Sequence, residues 1–139
     1  MDLLARFKEH PLPFAQLLGI ELVDATPECV VGELTVRKDL CTVPAVVHGG
    51  VIMAFADTLG ALGTIANIDS ESSTVTIGSA TNFLAPAPLA ERLTGTATPL
   101  HRGRSTMVWQ TRITTREGRL VAVTTQTQLV LPRPVKGSE

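Results

Sequence analysis

The spacing of apolar and polar positions changes several times along this chain, and each change marks an element. Leu3 to His10 has the spacing of a short amphipathic helix, stopped by Pro11 and Pro13. Phe14 to Leu18 predicts a second short helix, with Gly19 as its stop. Ile20 to Ala25 and Val30 to Val36 read as two strands turned by Thr26-Pro27-Glu28. Lys38 to Val47, which contains Pro44, is expected to be an irregular loop. The long helical candidate runs from Gly49 to Ile68, where Val51, Phe55, Leu59 and Leu62 recur at helical spacing. Gly50, Gly60 and Gly63 open or interrupt it. Interior glycine costs roughly 1 kcal/mol against alanine, so close packing against this helix is expected.

After Asp69 the period falls to that of strands. Ser73 to Phe83, Leu89 to Leu100, Ser105 to Thr115 and Arg119 to Leu131 are rich in Thr, Val and Ile. Turns fall at Ala85-Pro86-Ala87-Pro88, at Arg102-Gly103-Arg104 and at Glu117-Gly118, the last two as tight hairpins. The tail after Pro132 is expected to be loose. Strands joined by short turns form an antiparallel sheet, and one apolar helix must be covered by it. The pattern therefore predicts an α+β domain spanning residues 1–139, with its core at about 14–131.

Composition narrows the function. The 139 residues fit one domain, and 44% hydrophobic against 18% charged residues excludes a disordered chain. One Trp, four Phe and no Tyr leave little surface for stacking bases, and a net charge of −1 argues against nucleic-acid binding through bulk charge. No run approaches the ~18 apolar residues of a membrane span, and the N-terminus lacks the apolar core of a signal peptide. The expected location is cytoplasmic, with no membrane association. Cys29 and Cys41 have no metal-like spacing, and the three histidines are scattered, so no metal or other cofactor is expected. The charge is uneven. Residues 1–70 hold 4 basic and 9 acidic side chains, and six arginines fall between Arg92 and Arg119. Arginine's planar fork suits phosphate.

The stretch from His48 to Asp57 carries the candidate chemistry. His48-Gly49-Gly50 precedes an apolar helix, where backbone N–H groups lack internal partners and the helix dipole favours negative charge. Such a start can act as an oxyanion hole. Asp57 lies seven residues beyond Gly50, within about 20° of the same helix face. A carboxylate on the apolar stripe of a buried helix is costly unless it is paired or used. The alternative is a hydrogen-bonded Asp at a partner interface. Seven residues also separate the two groups by roughly 10 Å, too far for both to meet one carbonyl. Two antiparallel helices about a two-fold axis would instead set Asp57 of one chain against Gly49 or Gly50 of the other. His48 reads either as a general base or, preferably, as a loop-fixing histidine. No GxSxG occurs, so a serine nucleophile elbow is excluded.

These residues resemble the hotdog-fold acyl-CoA thioesterases, in the branch of the phenylacetate-pathway and 4-hydroxybenzoyl-CoA enzymes. The resemblance covers about residues 14–131 and rests on His48-Gly49-Gly50, Asp57 and Asn82-Phe83-Leu84-Ala85-Pro86-Ala87. It implies a long helix wrapped by a curved antiparallel sheet of five to six strands, in homodimers that pair again as homotetramers. It implies that Asp57 acts as nucleophile or general base, and that the Gly49 N–H of the other subunit polarises the thioester carbonyl. Thr76 best matches a hydroxyl residue that assists the carboxylate, with Thr74 close by. Thr42 stands where the family often has Asn or Gln, a departure that offers a hydroxyl on a shorter arm. Arg102, Arg104 and Ser105 occupy a basic turn near the nucleotide in relatives, and Asn82 joins them as a CoA contact. The implied substrate is an aryl or medium-chain acyl-CoA. A hotdog hydratase or dehydratase, or a non-catalytic acyl-CoA-binding module, is the alternative.

Overall fold

A computed structural model describes residues 2–134. Two short helices open the chain, α1 (Leu3–Glu9) and α2 (Pro13–Leu18). Asp2 caps α1 by accepting from the Ala5 N–H at 2.7 Å. Gly19 ends α2 with a left-handed φ of 79°, and the Arg37 guanidinium donates to the last two carbonyls, of Leu17 and Leu18, at 2.6 and 2.7 Å. A hairpin follows, β1 (Glu21–Thr26) and β2 (Cys29–Thr35). Past a 3-10 turn at Lys38–Leu40 come the two-residue strands β3 (Cys41–Thr42) and β4 (Val46–Val47). The long helix α3 (Gly49–Ile65) is followed by β5 (Ser72–Phe83), β6 (Arg92–Arg102), β7 (Thr106–Thr114) and β8 (Leu120–Pro132).

Six strands form one antiparallel sheet in the order β1-β2-β6-β7-β8-β5. The sheet curls around α3. Phe55 and Leu59 press on β2 and β6, where Gly32 and Gly95 leave room. Farther round, Trp109 of β7 covers Gly63 and Gln126 of β8 covers Gly60. Ile52, Phe55, Ala56 and Leu59 are at most 1% exposed, and their burial against Val30, Leu34, Leu93 and Ile113 makes the core. This is the hotdog arrangement the sequence predicts, a central helix wrapped by an antiparallel sheet. Among the described residues, one side of α3 has no covering element. Gly50, Ala54 and Ala61 fall along it, with Asp57 at its border, all exposed or partly exposed. Among the described residues, the strand β5 is hydrogen-bonded on one edge only, to β8.

Several expected boundaries move. The helix ends at Ile65, three residues short of Ile68, because Asn67 folds back and its amide donates to the Gly63 and Pro27 carbonyls, each at 2.8 Å. The strand expected from Leu89 begins at Arg92, since Ala90 takes a φ of 75° and donates to Val36 O at 2.7 Å. The expected loop from Lys38 to Val47 is a 3-10 turn and a miniature hairpin with a cis Val43–Pro44 bond. Arg133, expected in a loose tail, is held by a backbone bond to Glu71 O at 2.8 Å and a side-chain bond to Ser72 O at 3.1 Å. The rest of that tail, 135–139, lies outside the described residues. Among the described residues, no helix is long and apolar enough to cross a membrane.

Candidate active site

The start of α3 is fixed by its own capping residue. His48 is the N-cap, with an extended backbone (φ −67°, ψ 137°), and its Nδ1 accepts from the Gly50 N–H at 2.8 Å. The ring therefore holds the loop, the second of the two roles its sequence position allows. This cap separates the two glycines chemically. The Gly50 N–H is committed to His48, whereas the Gly49 N–H has no acceptor among the described residues. Gly49 thus offers a free donor at the positive end of a 17-residue helix dipole. A cavity of about 430 Å³ opens beside it, lined by apolar groups that include Ile52, Phe83, Leu84 and Val121. The Phe83 ring sits 3.3 Å from where a Gly49 side chain would begin.

Two turns farther on, Asp57 is half-buried at the border between the sheet-covered and uncovered sides of α3. This corrects the expectation that it lies on the buried apolar stripe. Thr76 of β5 donates to Asp57 Oδ1 at 2.7 Å. Gln126 of β8 places its amide nitrogen 3.3 Å from both Asp57 Oδ1 and the Asp57 backbone oxygen. Behind Thr76, the Gln128 amide donates to its hydroxyl, and Thr74 in turn donates to Gln128 Oε1 at 2.9 Å. Thr76 rather than Thr74 is therefore the hydroxyl next to the carboxylate. The β8 glutamines went unread in the sequence. The available signal was polar Gln at alternate positions of a strand whose same face carries Ala122 and Thr124.

The remaining candidates lie apart from this pair. Thr42 is exposed on the small hairpin ahead of His48. Asn82 is exposed near the end of β5, next to Phe83. Arg102, Arg104 and Ser105 sit at the β6–β7 turn, at the opposite end of α3 from Gly49. Arg102 is tied there, its Nη1 3.3 to 3.5 Å from Asn67 Oδ1, Pro27 O and Glu28 Oε1. Arg104 is exposed and makes no ion pair among the described residues. Of the other arginines, Arg92 is held by Glu33 at 2.9 Å and Glu21 at 3.2 Å, so it serves the sheet. Burial, then the Asp24 charge, pushes the Cys29 thiol up, away from a thiolate nucleophile. No cluster of metal-ligating side chains occurs among the described residues.

What this arrangement can do is bounded by its geometry. A carboxylate steadied by two donors and a free backbone N–H at a helix start are the two halves of an acyl-transfer site, water activation or attack and oxyanion stabilisation. Within one chain they stand on the same helix roughly 12 Å apart, eight residues at ~1.5 Å rise.

Comparison with known proteins agrees. The model of the thioesterase superfamily matches residues 45–122. A Mycobacterium tuberculosis protein, named an esterase by inference, is 32% identical over 80% of this chain and 81% of its own. The structure of a Haemophilus influenzae thioesterase superposes with a TM-score of 0.86, at 27% identity, over 95% of this chain and 92% of that one. A hypothetical thioesterase of Streptococcus pneumoniae, solved with coenzyme A, gives a TM-score of 0.76 at 27% identity, over 84% and 89%. The chain belongs to the thioesterase superfamily, with the hotdog fold, and is a thioester hydrolase.

Proposed function

We propose that the chain hydrolyses acyl-CoA thioesters to the free acid and CoA, in a symmetric oligomer whose active sites are shared between subunits. Asp57 of one subunit acts as general base or nucleophile, and the Gly49 N–H of the other polarises the thioester carbonyl. The observation that carries the reading is the placement of Asp57. Thr76 and Gln126 hold it at the border of the one side of α3 that no described element of its own chain covers, beside the small residues Gly50, Ala54 and Ala61. A second α3, antiparallel and packed on that side, brings its own Gly49 toward Asp57. The free edge of β5 supports the same partner, since an unpaired edge is satisfied by another strand. A two-fold axis there joins the two sheets, and the dimers pair again as homotetramers.

The substrate reading draws support from the coenzyme A held by the pneumococcal relative and from a Listeria monocytogenes relative, 28% identical over 78% of this chain, that is a 1,4-dihydroxy-2-naphthoyl-CoA hydrolase. The antiparallel pairing also places the β6–β7 turn of one subunit at the Gly49 end of the other's helix. There Arg104, with Arg102, Ser105 and Asn82, meets the CoA nucleotide and its phosphates. Thr42, on the hairpin ahead of His48, adds a hydroxyl near the thioester. The test is hydrolysis of a panel of aryl and medium-chain acyl-CoAs, followed by the release of free CoA. Binding of acyl-CoA without release of CoA from any member would refute the enzymatic reading.

A further inference from the structure

We infer that Gln126 and Gln128, two buried amides of β8, are positioning residues that fix the Asp57 carboxylate through Oδ1 and leave Oδ2 as the oxygen that reacts. The inference rests on the reading of Asp57 as the reacting carboxylate and adds which of its atoms acts and what holds it.

The direction of the hydrogen bonds follows from chemistry. An ionised carboxylate only accepts. The Thr76 hydroxyl, 2.7 Å from Asp57 Oδ1, must therefore give its proton there. Its lone pairs then face Gln128, which has to present its NH₂ end. Gln128 Oε1 is left to accept from Thr74 at 2.9 Å. The chain Thr74, Gln128, Thr76, Asp57 thus runs one way and ends on a single oxygen. Gln126 is oriented by the same rule. Its nitrogen lies 3.3 Å from both Asp57 Oδ1 and Asp57 O, so one NH₂ bridges the side chain and the backbone of the same residue. That bridge fixes the Asp57 rotamer. Oδ1 receives both donors, while Oδ2 receives none from the described residues and keeps its lone pairs for water or the thioester carbon.

Two features argue that this arrangement is not simply good packing. Gln126 and Gln128 are 1% and 0% exposed, at positions facing an apolar helix. Gln126 Oε1 has no partner among the described residues, a cost that a nonpolar side chain of the same length would avoid. The helix also gives way to the amide. A side chain at Gly60 would begin 2.4 Å from Gln126 Cδ, so only glycine lets Gln126 reach Asp57.

The experiment uses Gln126→Met and Gln128→Met, which keep length and remove the donors, measured as the intact oligomer beside Asp57→Asn and Thr76→Val. Each Met variant is expected to lower kcat about tenfold or more, on the scale of losing one donor to a charged group. KM should stay within about twofold, and the melting temperature should hold or rise. Because Gln128 works through Thr76, the Thr76→Val Gln128→Met double variant should be no slower than Thr76→Val alone, whereas adding Gln126→Met should slow it further. If Gln126→Met fails to fold, Gln126→Ala, which only removes atoms, replaces it with the same expectation. Met variants with wild-type kcat beside an inactive Asp57→Asn would overturn the positioning role and leave the function standing. A kcat loss that merely tracks loss of folded protein would overturn it too. An active Asp57→Asn enzyme would instead refute the reading of Asp57 on which the inference rests.

Discussion

Gly32 and Gly95 face each other across the β2–β6 ladder, and together they form the notch that seats Leu59. A side chain begun at Gly32 would lie 2.9 Å from one Leu59 methyl carbon, and one begun at Gly95 would lie 2.5 Å from the other. Leu59 itself is 0% exposed. The central helix comes this close to the sheet because both opposing strands present bare backbone.

Gly95→Ala should therefore destabilise the protein, by about 1–3 kcal/mol of overpacking. Strand propensity alone predicts the opposite sign, since alanine is easier to order than glycine. Thermal or denaturant unfolding measures it. Trimming the opposing residue by Leu59→Val in the same chain should return part of the loss, because the two sites share one contact. A Gly95→Ala protein as stable as wild type would mean that the helix sits farther from β6 than described.

Asp57→Asn keeps the shape and removes the charge. It should lower kcat by about 100-fold or more, the scale of losing a general base, with KM little changed. Steady-state kinetics on the best acyl-CoA substrate decide it. Turnover within a few-fold of wild type would make Asp57 an interface residue.

The structure ranks the two basic-turn arginines. Arg104 is exposed and makes no ion pair among the described residues, so Arg104→Ala should raise KM for acyl-CoA and spare kcat, since phosphate contacts do not change at the reacting carbon. The effect should vanish on a short pantetheine thioester that lacks the nucleotide. Arg102 already holds Pro27 O and Asn67 Oδ1 near the end of α3, so Arg102→Ala should also lower the melting temperature. Equal KM effects on both substrates would remove Arg104 from the nucleotide.

Mixing two inactive chains tests the shared site. Gly49→Pro removes the free N–H, at the first helical position where proline's φ is tolerated. Asp57→Asn removes the carboxylate. When the two are co-expressed, one site of each mixed dimer carries both defects and the other carries neither. Activity should return to about a quarter of wild type after random pairing, by counting sites under two-fold symmetry. A mixture that exchanges subunits and stays inactive would exclude sites shared across the axis.

The sequence made the architecture legible because helix and strand periods do not overlap. The apolar repeat that starts at Gly49 reads as one helix, and the two tight turns at 102–104 and 117–118 join neighbouring antiparallel strands. The link at 85–88 instead carries the chain from β5 at the sheet edge across to β6. The oxyanion candidate was legible for a similar reason, as two glycines directly ahead of an apolar helix carry a local signal. What holds Asp57 was not. Gln126 is 69 residues away in sequence, on a strand where Thr125 and Thr127 point outward and glutamine points in. With Thr on both faces and polar Gln on the inner one, period-two alternation could not say which face met the helix. The Ala90 turn was hidden because alanine seldom adopts a positive φ, and only the hydrogen bond to Val36 O explains it. The Asn67 cap was masked by Ile68, whose apolar side chain continued the helical pattern past the true end.

The one tryptophan, Trp109, is 0% exposed between β7 and Gly63 of the central helix, and the chain has no tyrosine. Ultraviolet emission from this protein therefore comes almost wholly from a single ring at the helix–sheet contact. A fluorescence signal reports the seating of α3 and little else, and α3 is the element that carries both Gly49 and Asp57. Emission and catalysis should be lost together on heating, giving an optical readout of site integrity that needs no added dye.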